Sequence, residues 1–70
     1  MKIILTLHAK IRMAERGISF DSIKDTIELP DYTVSKDSKI EAHRKINGKV
    51  LKVVYSKEGN YIKVITLVWK

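Results

Sequence analysis

The hydrophobic pattern of this chain changes period at Pro30. Before that residue, Phe20, Ile23 and Ile27 recur at the three-to-four-residue spacing of a helix. After it, Ile40, Ala42, Arg44 and Ile46 alternate with Glu41, His43 and Lys45, which is the two-residue period of a strand. A stretch written for one period cannot bury its apolar side in the other, so the chain reads as helices first and strands afterwards. That order predicts an α+β fold, with two N-terminal helices packed on one face of a three- to four-stranded antiparallel sheet. The expected helices cover about 7–16 and 20–29, and the expected strands about 31–35, 39–46, 49–56 and 61–69, within a single domain of residues 1–70.

Local signals punctuate this plan. Ile3–Leu5 reads as an extended lead-in and Thr6 as the N-cap of the first helix. Gly17 ends that helix, because glycine accepts the left-handed backbone of a helix terminus, and Ser19 caps the second helix with Ile18 and Ile23 in staple positions. Pro30 stops the second helix. Lys36-Asp37-Ser38 is a polar turn, Asn47-Gly48 is a two-residue hairpin signal, and Lys57–Asn60 turns the chain into its last strand. That last strand is apolar on both sides, with Ile65, Leu67 and Trp69 alternating against Ile62, Val64 and Val68. Two short helices cover one side of a sheet, so the other side is expected to meet a partner chain, a second copy of the chain or a curl of the sheet, although a central strand of any compact sheet shows the same pattern.

The first helix sorts its residues into two arcs. Leu7, Ile11 and Ala14 form a narrow apolar face, and His8, Arg12, Glu15 and Arg16 a polar one. His8, Arg12 and Arg16 stack at intervals of four residues, giving a row about 12 Å long at the helical rise. A solvated amphipathic helix shows the same arrangement, and Glu15 is placed to neutralise Arg12. What distinguishes the row is its use of arginine, which grips phosphate in two-pronged fashion, in a chain with eleven Lys and three Arg.

Composition narrows the classes of function. Among 70 residues there is no cysteine, which excludes disulfides, thiolate catalysis and cysteine metal sites, and fits a reducing cytoplasm. A formal net charge of +6 favours polyanionic partners. No segment approaches the roughly 20 apolar residues of a membrane span, so no membrane partner is expected. Two His 35 positions apart match no metal-ligand spacing, and no glycine-rich phosphate loop or nucleophile elbow occurs, so neither metal nor cofactor is implied. His8 and His43 are the only groups whose ordinary pKa lies near neutrality. Metal-independent RNA cleavage needs a base for the 2′-hydroxyl, an acid for the leaving oxygen and cations on the phosphorane. His8, Arg12, Arg16, His43 and Arg44 have the right chemistry, but His43 and Arg44 are adjacent on a strand and point to opposite faces.

His8, Arg12-Met13 and Arg16-Gly17-Ile18, followed by a second helix ending near Pro30, resemble the signature of the domain of unknown function numbered forty-two fifty-eight. Val64-Ile65-Thr66 resembles its closing strand. That family is thought to belong to the RelE/ParE-like toxin superfamily, with two helices on a curved antiparallel sheet. The resemblance implies a toxin of a toxin–antitoxin pair, an endonuclease acting on free or ribosome-bound mRNA. It carries over His8, Arg12 and Arg16 as catalytic or RNA-contact residues, and Thr66 weakly. His43, Arg44 and Lys52 are the expected RNA-binding residues on the sheet, and Tyr55, Lys63 and Lys70 are further residues offered for the basic and Tyr positions that the resemblance implies on the sheet and C-terminus, with RNA, an antitoxin protein and a second copy as expected partners. The rivals are a non-catalytic nucleic-acid-binding module and a protein-interaction domain. Proximity of His43 or Arg44 to the helical row favours cleavage, and separation favours binding.

Overall fold

The computed structural model describes residues 2–70, so position 1 of the expected domain lies outside the described residues. The elements are β1 (Lys2–Leu5), α1 (Leu7–Arg16), α2 (Phe20–Glu28), β2 (Tyr32–Lys36), β3 (Lys39–Ile46), β4 (Lys49–Glu58) and β5 (Tyr61–Trp69). The α+β class is as expected. The sheet is larger than expected and not purely antiparallel: five strands lie in the order β1-β5-β4-β3-β2, with β1 parallel to β5. The lead-in becomes that extra strand by setting Ile3 against Ile62 and Leu5 against Val64. Parallel neighbours need a long crossover, and both helices and three strands lie between these two. Four residues carry too little local pattern to announce such a pairing.

Both helices pack on one face of the sheet. Ala9, Ile18, Ile23 and Ile27 meet Ala42, Leu51, Val53, Tyr55, Ile62, Val64 and Leu67 in one core. Thr6 sets the angle at which α1 arrives. Its hydroxyl accepts from the Ala9 N–H (3.1 Å), as an N-cap should, and donates to the Ile65 carbonyl (3.0 Å), while its N–H donates to the Val64 carbonyl (3.1 Å). Tied to β5 in this way, α1 turns Ala9 and Met13 toward the sheet. The arc expected to pack inward faces solvent instead: Leu7 is 74% exposed and Ile11 48%, and Ala14 is exposed too. The Trp69 indole N–H, donating to the Arg16 carbonyl at 3.3 Å, holds the other end.

Gly17 closes α1 with φ 61°, and the Ile18 N–H reaches back to the Met13 carbonyl at 3.0 Å, which drops Ile18 into the core. A Cβ added at Gly17 meets no atom within 4 Å, so only backbone strain opposes it. Gly17→Ala is therefore expected to cost about 1 kcal/mol, and Gly17→Asn less, in urea unfolding midpoints.

The two-sided apolar pattern of β5 is resolved by a bulge. Val54 pairs with Thr66 and Tyr55 with Val64, so Ile65 is an extra residue in the ladder. The slip places Ile62 and Val64 on the same face as Leu67 and Trp69, toward the helices, and leaves Thr66 and Val68 on the other. Strict alternation, which assigns Val64 and Leu67 to opposite faces, fails at this one residue. The second face of β5 therefore carries Tyr61, Lys63, Thr66 and Val68 rather than a continuous apolar row.

Candidate nucleic-acid interface

Residues directly opposite in neighbouring strands share a face. The registers Tyr32↔His43 and His43↔Lys52, continued through Val34↔Glu41 and Lys52↔Val68, therefore define the face that the helices leave open. By the same alternation Lys36, Lys39, Lys45 and Lys63 lie on this face with Lys52, against Glu41 and Glu58. The open side of the sheet is thus predominantly basic.

His43 sits at the middle of it, only 4% exposed. The Tyr32 ring stacks on the imidazole, with centroids 4.4 Å apart and planes 7° from parallel. The Glu41 carboxylate lies 3.8 Å from His43 Nε2 and 3.8 Å from Lys52 Nζ, and Lys70 Nζ lies 3.4 Å from the Tyr32 hydroxyl. His43 Nδ1 is buried with no hydrogen-bond partner. The backbone around the stack is pinned: the Asp31 N–H donates to the His43 carbonyl (2.8 Å), and the Asp31 carboxylate accepts from the Lys45 N–H (2.8 Å).

Burial holds the His43 pKa below its ordinary 6.5, with Lys70 and Lys52 pushing the same way and Glu41 opposing. The imidazole is therefore neutral at pH 7 and able to accept a proton. The unfolded chain binds that proton more readily than the folded one, so the contribution of His43 to stability is full above pH 6.5 and is lost as pH falls through its folded pKa. Thermal melts should show a lower midpoint below pH 6 than at pH 7, and His43→Gln should flatten this dependence.

The helical row lies elsewhere. His8 is exposed, Arg12 Nε donates to His8 Nε2 at 3.5 Å, and Arg12 Nη1 is 3.6 Å from the Glu15 carboxylate. Arg16 is exposed, its carbonyl engaged by Trp69. These groups belong to the helical layer and His43 to the opposite side of the sheet, so the two sets do not converge. Arg44, expected among the RNA-binding residues, also turns to the helical side, where its guanidinium donates to the Leu29 carbonyl at 2.6 Å just past the end of α2. Of the expected sheet residues, His43 and Lys52 come together and Arg44 does not.

Tyr32 and Glu41 are the site residues that sequence reasoning missed, and a signal for them existed. Asp37 (φ 50°) and Ser38 (φ 67°) form a two-residue left-handed turn that pairs Lys36 with Lys39. Counting back from a two-residue turn sets Val34 opposite Glu41 and Tyr32 opposite His43. A three-residue turn at Lys36–Ser38 misses both pairings. A shallow depression of about 380 Å³ beside this turn, lined by Lys36, Lys39 and Lys57 among others, adds positive charge at the end of the sheet.

Among the described residues no group of three or more His, Cys, Asp or Glu could hold a metal ion, and no helix is long and apolar enough to cross a membrane. Compared with known proteins, residues 5–69 match the family described as Domain of unknown function (DUF4258). No curated protein and no solved structure matches the chain.

Proposed function

The chain belongs to the family of the domain of unknown function DUF4258, and on that premise we propose that it is an RNA-binding protein of the RelE/ParE-like toxin class, taking RNA on the open face of its sheet. The observation that carries this reading is the Tyr32–His43 stack, flanked by Lys52 and Lys70 on a face where lysines outnumber carboxylates. Aromatic rings and ammonium groups on one accessible sheet are what bases and phosphates of RNA bind. In this reading the protein acts in the cytoplasm and an antitoxin is its protein partner. The separation of His8, Arg12 and Arg16 from His43, with the Arg44 guanidinium held at the Leu29 carbonyl past the end of α2, favours binding over cleavage by the helical row.

Cleavage is a second reading, centred on His43 rather than His8. A neutral imidazole beside two ammonium groups has the chemistry to take the proton of a ribose 2′-hydroxyl, provided that the Tyr32 ring stacked on it moves aside to uncover the buried Nδ1. The 2′-oxygen then forms a bond to phosphorus, the bond to the 5′-oxygen breaks, and that oxygen leaves with a proton from water. Lys52 and Lys70 stabilise the charge on the phosphorane.

End-labelled RNA incubated with the purified protein, with and without EDTA, tests both readings. Retarded but intact RNA is the outcome expected from binding alone. Fragments that persist in EDTA, disappear with His43→Asn and remain with His8→Ala establish the second reading. Cleavage or binding lost with His8→Ala or Arg12→Ala but kept with His43→Asn moves the site to α1, and RNA that is neither bound nor cut refutes the proposal.

A further inference from the structure

We propose that the RNA taken by the open face is single-stranded, with one unpaired base seated on the outer side of the Tyr32 ring. This rests on the RNA-binding reading above and names its substrate class. Tyr32 belongs to β2, the last strand in the order of the sheet, and no strand lies beyond it among the described residues. Rings from residues directly opposite on adjacent strands stack side by side along the sheet, so His43 covers the inner side of Tyr32 and the outer side looks past the sheet edge. The exposures agree: the imidazole is 4% exposed and the tyrosine 50%. A base laid on that free side continues the parallel stack of His43 and Tyr32 by one more ring.

The surroundings fit a strand with accessible bases. Lys70 Nζ at 3.4 Å from the Tyr32 hydroxyl places an ammonium group at the ring, and Lys36 adds a second charge four residues further along β2 on the same face. The phosphate next to the stacked base meets Lys70, and the strand continues toward Lys36. A base inside a duplex keeps both its sides stacked on neighbouring pairs and cannot add to the platform.

The test is equilibrium binding of three probes of equal length, about ten units each: a mixed-sequence single-stranded RNA, the blunt duplex of the same sequence, and a ribose-phosphate oligomer without bases. The single strand should bind at least roughly 5-fold more tightly than either of the others. Tyr32→Ala should weaken single-strand binding roughly 5- to 150-fold and bring it level with the baseless oligomer. Tyr32→Trp should restore it, a rescue that loss of structure at an edge strand does not produce, and circular dichroism melts check the fold of each variant. Equal affinity for the single strand and the baseless oligomer, or Tyr32→Ala binding like the unaltered chain, overturns the stacking inference and leaves RNA binding standing. Failure of all three probes to bind overturns the RNA-binding reading and this inference with it.

Discussion

Removing the ammonium groups of Lys52 and Lys70 together, as Lys52→Gln with Lys70→Gln, is expected to lower affinity for RNA on the order of 100-fold at moderate salt. Each lysine lies beside the stack, Lys52 opposite His43 in the register and Lys70 at the Tyr32 hydroxyl. A charge-assisted contact contributes about 1.5–3 kcal/mol, so losing two costs about 3 kcal/mol at the low end of that range, roughly 160-fold in affinity. The salt dependence gives a separate readout. Each phosphate contact to a single strand contributes about 0.7 to the slope of log affinity against log salt, so the double variant should flatten that slope by roughly 1.4. Lys24→Gln, an exposed position on α2, removes one charge from the far side and should leave the slope near its original value. A double variant with unchanged slope and affinity would show that RNA does not use the open face.

The second large effect concerns stability. Leu51→Ala should bring the domain close to unfolding at room temperature, because Leu51 is fully buried on the central strand β4, between Arg44 of β3 and Trp69 of β5. Truncating a buried leucine costs about 2–5 kcal/mol. A chain of 70 residues has only roughly 3.5–10 kcal/mol to lose, at about 0.05–0.15 kcal/mol per residue. Leu7→Ala, the same change on α1, should cost under about 0.5 kcal/mol, because Leu7 is 74% exposed. Urea unfolding of the two variants side by side tests whether α1 has the rotation seen here, since packing through Leu7, Ile11 and Ala14 requires both changes to be severe.

The helices were legible because their ends are marked by residues that act on their immediate neighbours. Thr6 and Ser19 accept from backbone N–H groups three residues on, and Gly17 supplies a positive φ. These interactions span one turn of chain and leave a trace in a short window of sequence. The rotation of α1 was not legible, because the bonds from Thr6 to Val64 and Ile65 join residues nearly sixty positions apart. Periodicity says that an arc is apolar; it does not say which arc the rest of the fold will cover.

The sheet divides in the same way. The β3–β4 hairpin follows from Asn47-Gly48, whose residues adopt φ 50° and 85° and pair Ile46 with Lys49. The β2–β3 register was readable in principle from its two-residue turn, and with it the Tyr32–His43 pair. The parallel β1 and the bulge at Ile65 were not, since one depends on a strand near the far end of the chain and the other on the ladder of a neighbour.

Sequence alone determined the class of the fold, the places where its helices begin and end, the basic character of its surface and the absence of thiol chemistry. All of these depend on residue identity or on contacts within a few positions. Tertiary structure decided which residues share a face: it set the helical row and His43 on opposite sides of the sheet, turned Arg44 to the end of α2 and stacked Tyr32 on His43. The physical reason is that a side chain's direction on a strand or helix is a matter of parity and rotation, which one bulge or one long-range hydrogen bond resets for every residue that follows.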